Sequence, residues 1–153
     1  MLQRYLSLYD PQEWRRVWRR GVKDTSMRKP RQISVSRDGG RVFVADYGAN
    51  CVVVLGPDGL PLYTIPPQPS QGVMVRPWAV CVDGSGAWVF VGHQDSKGKE
   101  VVSVWGVEDS TQHHTVYEVG DVVRSLSLHQ DRYLAVGTPH ALYLLDVYNV
   151  LHE

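Results

Sequence analysis

Short apolar runs separated by turn residues recur along most of this chain. Between residues 31 and 65, Ile33 and Val35 alternate with Ser34 and Ser36, the period of a half-buried strand. Asp38-Gly39 is a hairpin signal, because glycine tolerates positive φ and aspartate can bond its own backbone. Val42-Phe43-Val44-Ala45 is continuous and apolar, as in a strand buried on both faces. Tyr47 to Asn50 breaks the run, and Cys51 to Leu55 makes a second such strand. Gly56-Pro57-Asp58-Gly59 turns again, and Leu62 to Ile65 reads as a more exposed fourth strand. Two buried strands flanked by two wetter ones form a four-stranded sheet packed between neighbours.

The unit repeats. After a loop from Pro66 to Gly72, Val80 and Val82 take the places of Ile33 and Val35, and Val89 to Gly92 match Val42 to Ala45, 47 residues on. His93 to Glu100 is a polar loop, and Val101 to Trp105 and Thr115 to Val119 complete the copy. Leu126 and Leu128 open a third copy 46 residues later, with Leu134 to Gly137 and Leu142 to Leu145 as its central strands and at most a stub of a fourth. Four-stranded repeats of this period are the signature of propeller blades. The expected fold is all-β, a β-propeller fragment of about three blades, near 30–66, 76–119 and 120–150, in a domain from 30 to 153. A closed ring needs at least about four blades. Open faces therefore call for further blades, for self-association through open blade edges, or for a cap from the N-terminal segment. A compact all-β sandwich is the alternative.

Residues 1–29 do not copy the unit. Asp10 suits an N-cap, Pro11 a first helical position, and Glu13 the third position of a capping box. Trp14, Val17 and Trp18 recur at helical spacing, with Arg15, Arg16, Arg19 and Arg20 opposite and Gly21 as a stop. This predicts a short basic amphipathic helix over 11–20 within an N-terminal extension. Too short to stand alone, it would cover a core edge or dock a partner.

Composition adds limits. With 43% apolar and 21% charged residues, the 153-residue chain fits an ordinary soluble domain. Net charge is zero, so bulk charge points to neither nucleic acid nor membrane. The charge is uneven, since residues 1–31 hold nine Lys or Arg against three acids. Cys51 and Cys81 sit in strand patterns and read as reduced core thiols, with no metal-ligand spacing. No apolar run approaches the ~20 residues that span a bilayer, and Met1 to Tyr9 lacks a secretory core. A cytoplasmic location with no membrane partner is expected.

The first copy resembles the NHL repeat and the related YVTN-type propeller repeat. The likeness rests on Arg31 to Gly39, on Arg41 to Asn50 with its Asp46-x-x-x-Asn50 segment, and on Val52 to Val54 with Asp58-Gly59. The second copy matches through Arg76-Pro77-Trp78-Ala79-Val80-Cys81-Val82-Asp83 and Val89 to Gly92, and lacks the Asp-x-x-x-Asn segment. The third looks like a WD-type blade. NHL-repeat proteins include tripartite-motif ubiquitin ligases, RNA-binding translational regulators and a secreted lyase with a metal site. What the resemblance implies most often is a binding platform.

Signals for catalysis are thin. His113-His114 are sequence neighbours that do not project to one point. His93 with Asp95, and His129 with Asp131, read as solvated turns. Asp46 would serve either as a metal ligand in a lactonase-like propeller or as a bond acceptor for the Tyr47–Asn50 turn. No nucleophile elbow, phosphate loop or triad spacing occurs. No enzyme activity and no cofactor are expected.

Binding signals are better. Loops that lead into each blade share a face with those joining its second and third strands. That face collects seven bases against five acids, and the opposite face three against six. Its candidate binding residues are Arg31, Tyr47, Asn50, Arg76, Trp78, His93, Lys97, Arg124 and His140. Bases interleaved with aromatics suit an acidic peptide or single-stranded RNA; the alternative is an ordinary mixed surface. The first reading is a non-enzymatic protein-binding scaffold, the second an RNA-binding regulator, and the third a lactonase- or lyase-like enzyme.

Overall fold

The computed structural model describes residues 26–152, together with the strands over 5–10 and 15–21. The first repeat is an antiparallel meander of β3 (Pro30–Val35), β4 (Val42–Asp46), β5 (Cys51–Leu55) and β6 (Pro61–Ile65), following the hairpin strands β1 (Tyr5–Asp10) and β2 (Arg15–Gly21). The second comprises β7 (Val75–Val82), β8 (Trp88–Gln94), β9 (Glu100–Gly106) and β10 (His113–Glu118). The third holds only β11 (Ser125–His129), β12 (Tyr133–Gly137) and β13 (Leu142–Asp146). Every pairing is antiparallel between sequence neighbours, so the sheets are three successive blades of a propeller-type fold.

The continuous apolar runs become the central strands. All of Val42–Asp46 and Cys51–Leu55 are buried. Phe43, Ala45, Val52, Val54 and Ile65 of the first blade pack against Val80, Val82, Val89, Val91 and Trp105 of the second. The second blade's other face carries Cys81, Phe90, Val102 and Val104, which meet Leu126, Leu134 and Val136 of the third. The middle sheet is thus shared by two cores.

One expectation is corrected: in the described part of 11–20 no helix forms. Arg15–Gly21 is a strand that pairs with Tyr5–Asp10, Leu8 standing opposite Trp18, while residues 11–14 lie outside the described residues. A single ten-residue helix gains little from local propensity, whereas Tyr5 to Tyr9 gives Val17-Trp18, both good strand formers, a ladder partner. After β13, where the sequence leaves room for at most a strand stub, the chain forms a short helix α1 (Tyr148–Leu151). There Val147, fully buried, donates its N–H to the Arg132 carbonyl at 2.7 Å, and Asp146 accepts from the Tyr148 N–H at 3.1 Å. Among the described residues no helix is long and apolar enough to cross a membrane.

The innermost strands meet near the axis through one side chain. Gln32 Oε1 accepts from the Val80 N–H at 3.1 Å and from the Leu126 N–H at 3.2 Å. Its Nε2 donates to the Leu126 carbonyl at 3.1 Å. Ser34 Oγ accepts from the Val82 N–H at 3.1 Å. Polar residues on the first inner strand thereby satisfy edge groups of the next two blades.

Candidate functional site

Arg31, Trp78 and Arg124 occupy one position in three successive blades, where the chain enters the innermost strand. Register irregularities between Pro30 and Ile33 and between Val75 and Ala79 take Arg31 and Trp78 out of the regular ladder. Bulges of this kind re-aim side chains. The Arg31 guanidinium lies 4.3 Å from the centre of the Trp78 ring and 5.3 Å from that of Tyr47. The Arg124 guanidinium lies 5.0 Å from Trp78, and the Lys29 ammonium 5.3 Å from Tyr47. Tyr47 meets Trp78 edge-on, with ring centres 5.4 Å apart. The result is a ladder in the order Lys29, Tyr47, Arg31, Trp78, Arg124, each rung worth about 0.5–1 kcal/mol at an exposed site.

The scaffold holds this ladder in place. Asp46 is completely buried and accepts from the backbone N–H groups of Arg28 at 2.9 Å and Lys29 at 2.7 Å. Tyr47 N–H donates to the Lys29 carbonyl at 3.0 Å. The carboxylate therefore ties the basic segment to the blade instead of bonding amides of the Tyr47–Asn50 turn. Gly48 makes the approach feasible, since a Cβ there would stand 2.9 Å from Arg28 Cβ and 3.1 Å from Lys29 Cβ. Asn50 Oδ1 accepts from the Arg76 N–H at 2.9 Å, fixing the segment that leads to Trp78. Both Asn50 and Arg76 have left-handed backbones, at φ 58° and 51°. Asn50 thus anchors the segment that leads to the site.

The Arg31 Nε is shielded from solvent and has no hydrogen-bond partner among the described residues. No carboxylate among them pairs with Arg31 or Arg124. Among the described residues, rings and not acids hold these guanidiniums, so their N–H edges keep capacity for an incoming acceptor.

The remaining candidates do not join the ladder. His93 is 3% exposed and internal. Its Nδ1 donates to the Gln94 carbonyl at 2.6 Å, and its Nε2 lies 2.6 Å from Ser103 Oγ, which also accepts from the Trp105 indole at 2.7 Å. The polar loop that seemed to display His93 begins after it; the residue belongs to β8 and faces inward. Burial holds its pKa below the ordinary value. Lys97 is exposed on a turn organised by Asp95, which accepts from the Lys97 and Lys99 amides at 2.8 and 3.0 Å. His140 pairs with Asp121 at 2.9 Å. Sequence patterning found four of the five rungs as candidates; the proximity of the fifth, Lys29, to Tyr47 depends on the long-range Asp46 bonds. The two thiols are buried core groups, Cys51 pushed up to about 12 and Cys81 also raised by burial.

No protein-family model matches this chain, and no curated protein matches it. Solved structures of propeller-type proteins do. Hydrazine synthase from Kuenenia stuttgartiensis aligns with a TM-score of 0.63 at 20% identity, over 82% of this chain and 35% of that one. Dihydro-heme d1 dehydrogenase NirN, in complex with DHE, aligns with a TM-score of 0.63 at 21% identity, over 93% and 30%. A chain of the nidogen/laminin complex aligns with a TM-score of 0.69 at 11% identity, over 84% and 48%. These likenesses concern the fold, and this chain spans less than half the length of each.

Proposed function

We propose that this chain is a non-enzymatic propeller-type binding module, NHL-like in its first blade, that holds a protein partner through an acidic segment. The supporting observation is the ladder itself: two guanidiniums and an ammonium carried on Tyr47 and Trp78, with no carboxylate among the described residues on Arg31 or Arg124. Planar donors held by aromatic faces lose less freedom when a carboxylate arrives, which favours bidentate recognition. The Trp78 π-system already serves two guanidiniums, which leaves less ring face for stacked bases and favours a peptide over RNA. Asp46 is engaged by two backbone amides, an arrangement that suits a structural anchor better than a lactonase-like metal ligand.

The test is fluorescence anisotropy with a labelled glutamate-rich peptide and, in parallel, an oligouridylate. The peptide should bind, and binding should weaken with salt. Arg31→Ala and Trp78→Ala should each weaken it by about tenfold, ~1.4 kcal/mol, with Arg124→Glu at least as damaging. Failure to bind the peptide, unchanged affinity in all three variants, or stronger binding of the oligouridylate would overturn the reading.

A further inference from the structure

Among the described residues, bases differ in how their charge is met. Arg41, Lys99, Arg132 and His140 each stand beside an acid, in that order Glu108, Glu118, Asp146 and Asp121. Lys29, Arg31 and Arg124 have no such partner among the described residues. Asp46 spends both its oxygens on the backbone amides of Arg28 and Lys29. The ladder therefore concentrates positive charge in one place.

The spacing of that charge selects a ligand. Arg31 and Arg124 share Trp78, their guanidinium carbons lying 4.3 and 5.0 Å from its ring centre, so the two carbons are no more than 9.3 Å apart. Because the Arg31 Nε is shielded, Arg31 meets an incoming acceptor through its two terminal nitrogens. A carboxylate brings one charge and two oxygens, which suits a single fork. A phosphomonoester brings a charge of about −1.5 to −2 and three strong acceptor oxygens. With bonds of about 2.8 Å, one such group reaches two guanidinium carbons ~8 Å apart. It also matches the charge of two guanidiniums, which a single carboxylate or a phosphodiester does not.

We propose that the ladder recognises a phosphorylated side chain within the partner's acidic segment, the phosphate being held jointly by Arg31 and Arg124 with Lys29 adding to the field. Phosphorylation of the partner then switches binding on. This inference rests on the proposed reading of the ladder as a peptide site and adds the group that the site selects.

The experiment is fluorescence anisotropy with three labelled glutamate-rich peptides, identical except at one central residue, which is serine, glutamate or phosphoserine. The phosphoserine peptide should bind about tenfold more tightly than the glutamate peptide. Arg31→Lys and Arg124→Lys keep the charge and remove the fork. Each should shrink that advantage to about threefold or less, with unchanged circular dichroism. Equal affinity for the phosphoserine and glutamate peptides would remove this inference and leave the proposed function standing, whereas no binding of either would remove both. An advantage undiminished in both lysine variants, or tighter binding of a 5′-phosphorylated oligouridylate than of the phosphoserine peptide, would also overturn the proposal.

Discussion

At the scale of single residues, burial decides what a titratable group can do. His93 satisfies both ring nitrogens as a neutral imidazole, Nδ1 donating to the Gln94 carbonyl and Nε2 accepting from Ser103. Burial is the main cause that holds its pKa below 6.5, with the Gln94 bond opposing it. The unfolded chain therefore takes up a proton near its ordinary pKa, while the folded chain does so only at lower pH. Between those values the unfolded state binds more protons, so stability falls as pH drops below about 6.5. Chemical denaturation at about pH 7.5 and about pH 5.5 should show that loss, and His93→Gln should flatten it. An equal slope in the variant would mean that another group sets the acid limit. Asp46 makes the same point without titration: its burial is tolerable because two amides meet it.

At the scale of elements, strands and turns were legible in the sequence wherever local chemistry dictated them. Val42–Asp46 and Cys51–Leu55 stood out as continuous apolar runs and are buried throughout. Glycines such as Gly39, at φ 72°, marked the turns. Legibility failed where a distant partner decided. The capping signals at Asp10 to Glu13 are local, yet Arg15–Gly21 follows its pairing with Tyr5–Asp10. Likewise, that His93 faces inward depends on Ser103 of the neighbouring strand, and the bonds from Asp46 cross from β4 to the segment before β3. Closeness between sheets was equally hidden. A Cβ on Gly92 would run into Val123 at the junction of the second and third blades. Gly92→Ala should therefore cost about 1–3 kcal/mol, the usual range for overpacking, rather than gain the roughly 0.5–1 kcal/mol expected of alanine in a strand. Adding Val123→Ala should restore part of the loss in urea melts; no recovery would mean that the glycine is needed for its backbone.

At the scale of the whole molecule, three sheets behave as one body only if something couples them. Two devices do. The middle sheet contributes to both apolar cores, Val80 and Val91 on one side, Phe90 and Val102 on the other. Gln32 joins the three inner strands, which β packing alone would leave with unpaired edge groups. Its amide is suited to this because it offers an acceptor to two N–H groups and a donor to one carbonyl at once. Gln32→Ala should cost about 2 kcal/mol, since groups from two strands lose a partner in a half-buried site. Gln32→Glu should be intermediate: the carboxylate still accepts from Val80 and Leu126 but faces the Leu126 carbonyl without a proton to donate. Unfolding followed by circular dichroism and by tryptophan fluorescence should coincide in the wild type. In Gln32→Ala, with the other four tryptophans replaced by phenylalanine, the two probes should separate, because Trp105 then reports the core of the first two blades while the third blade loses its tie to the axis. Coincident transitions in the variant, with the full loss of stability, would show that the shared middle sheet suffices for cooperativity. Gln32 would then set the geometry of the axis and not its unity.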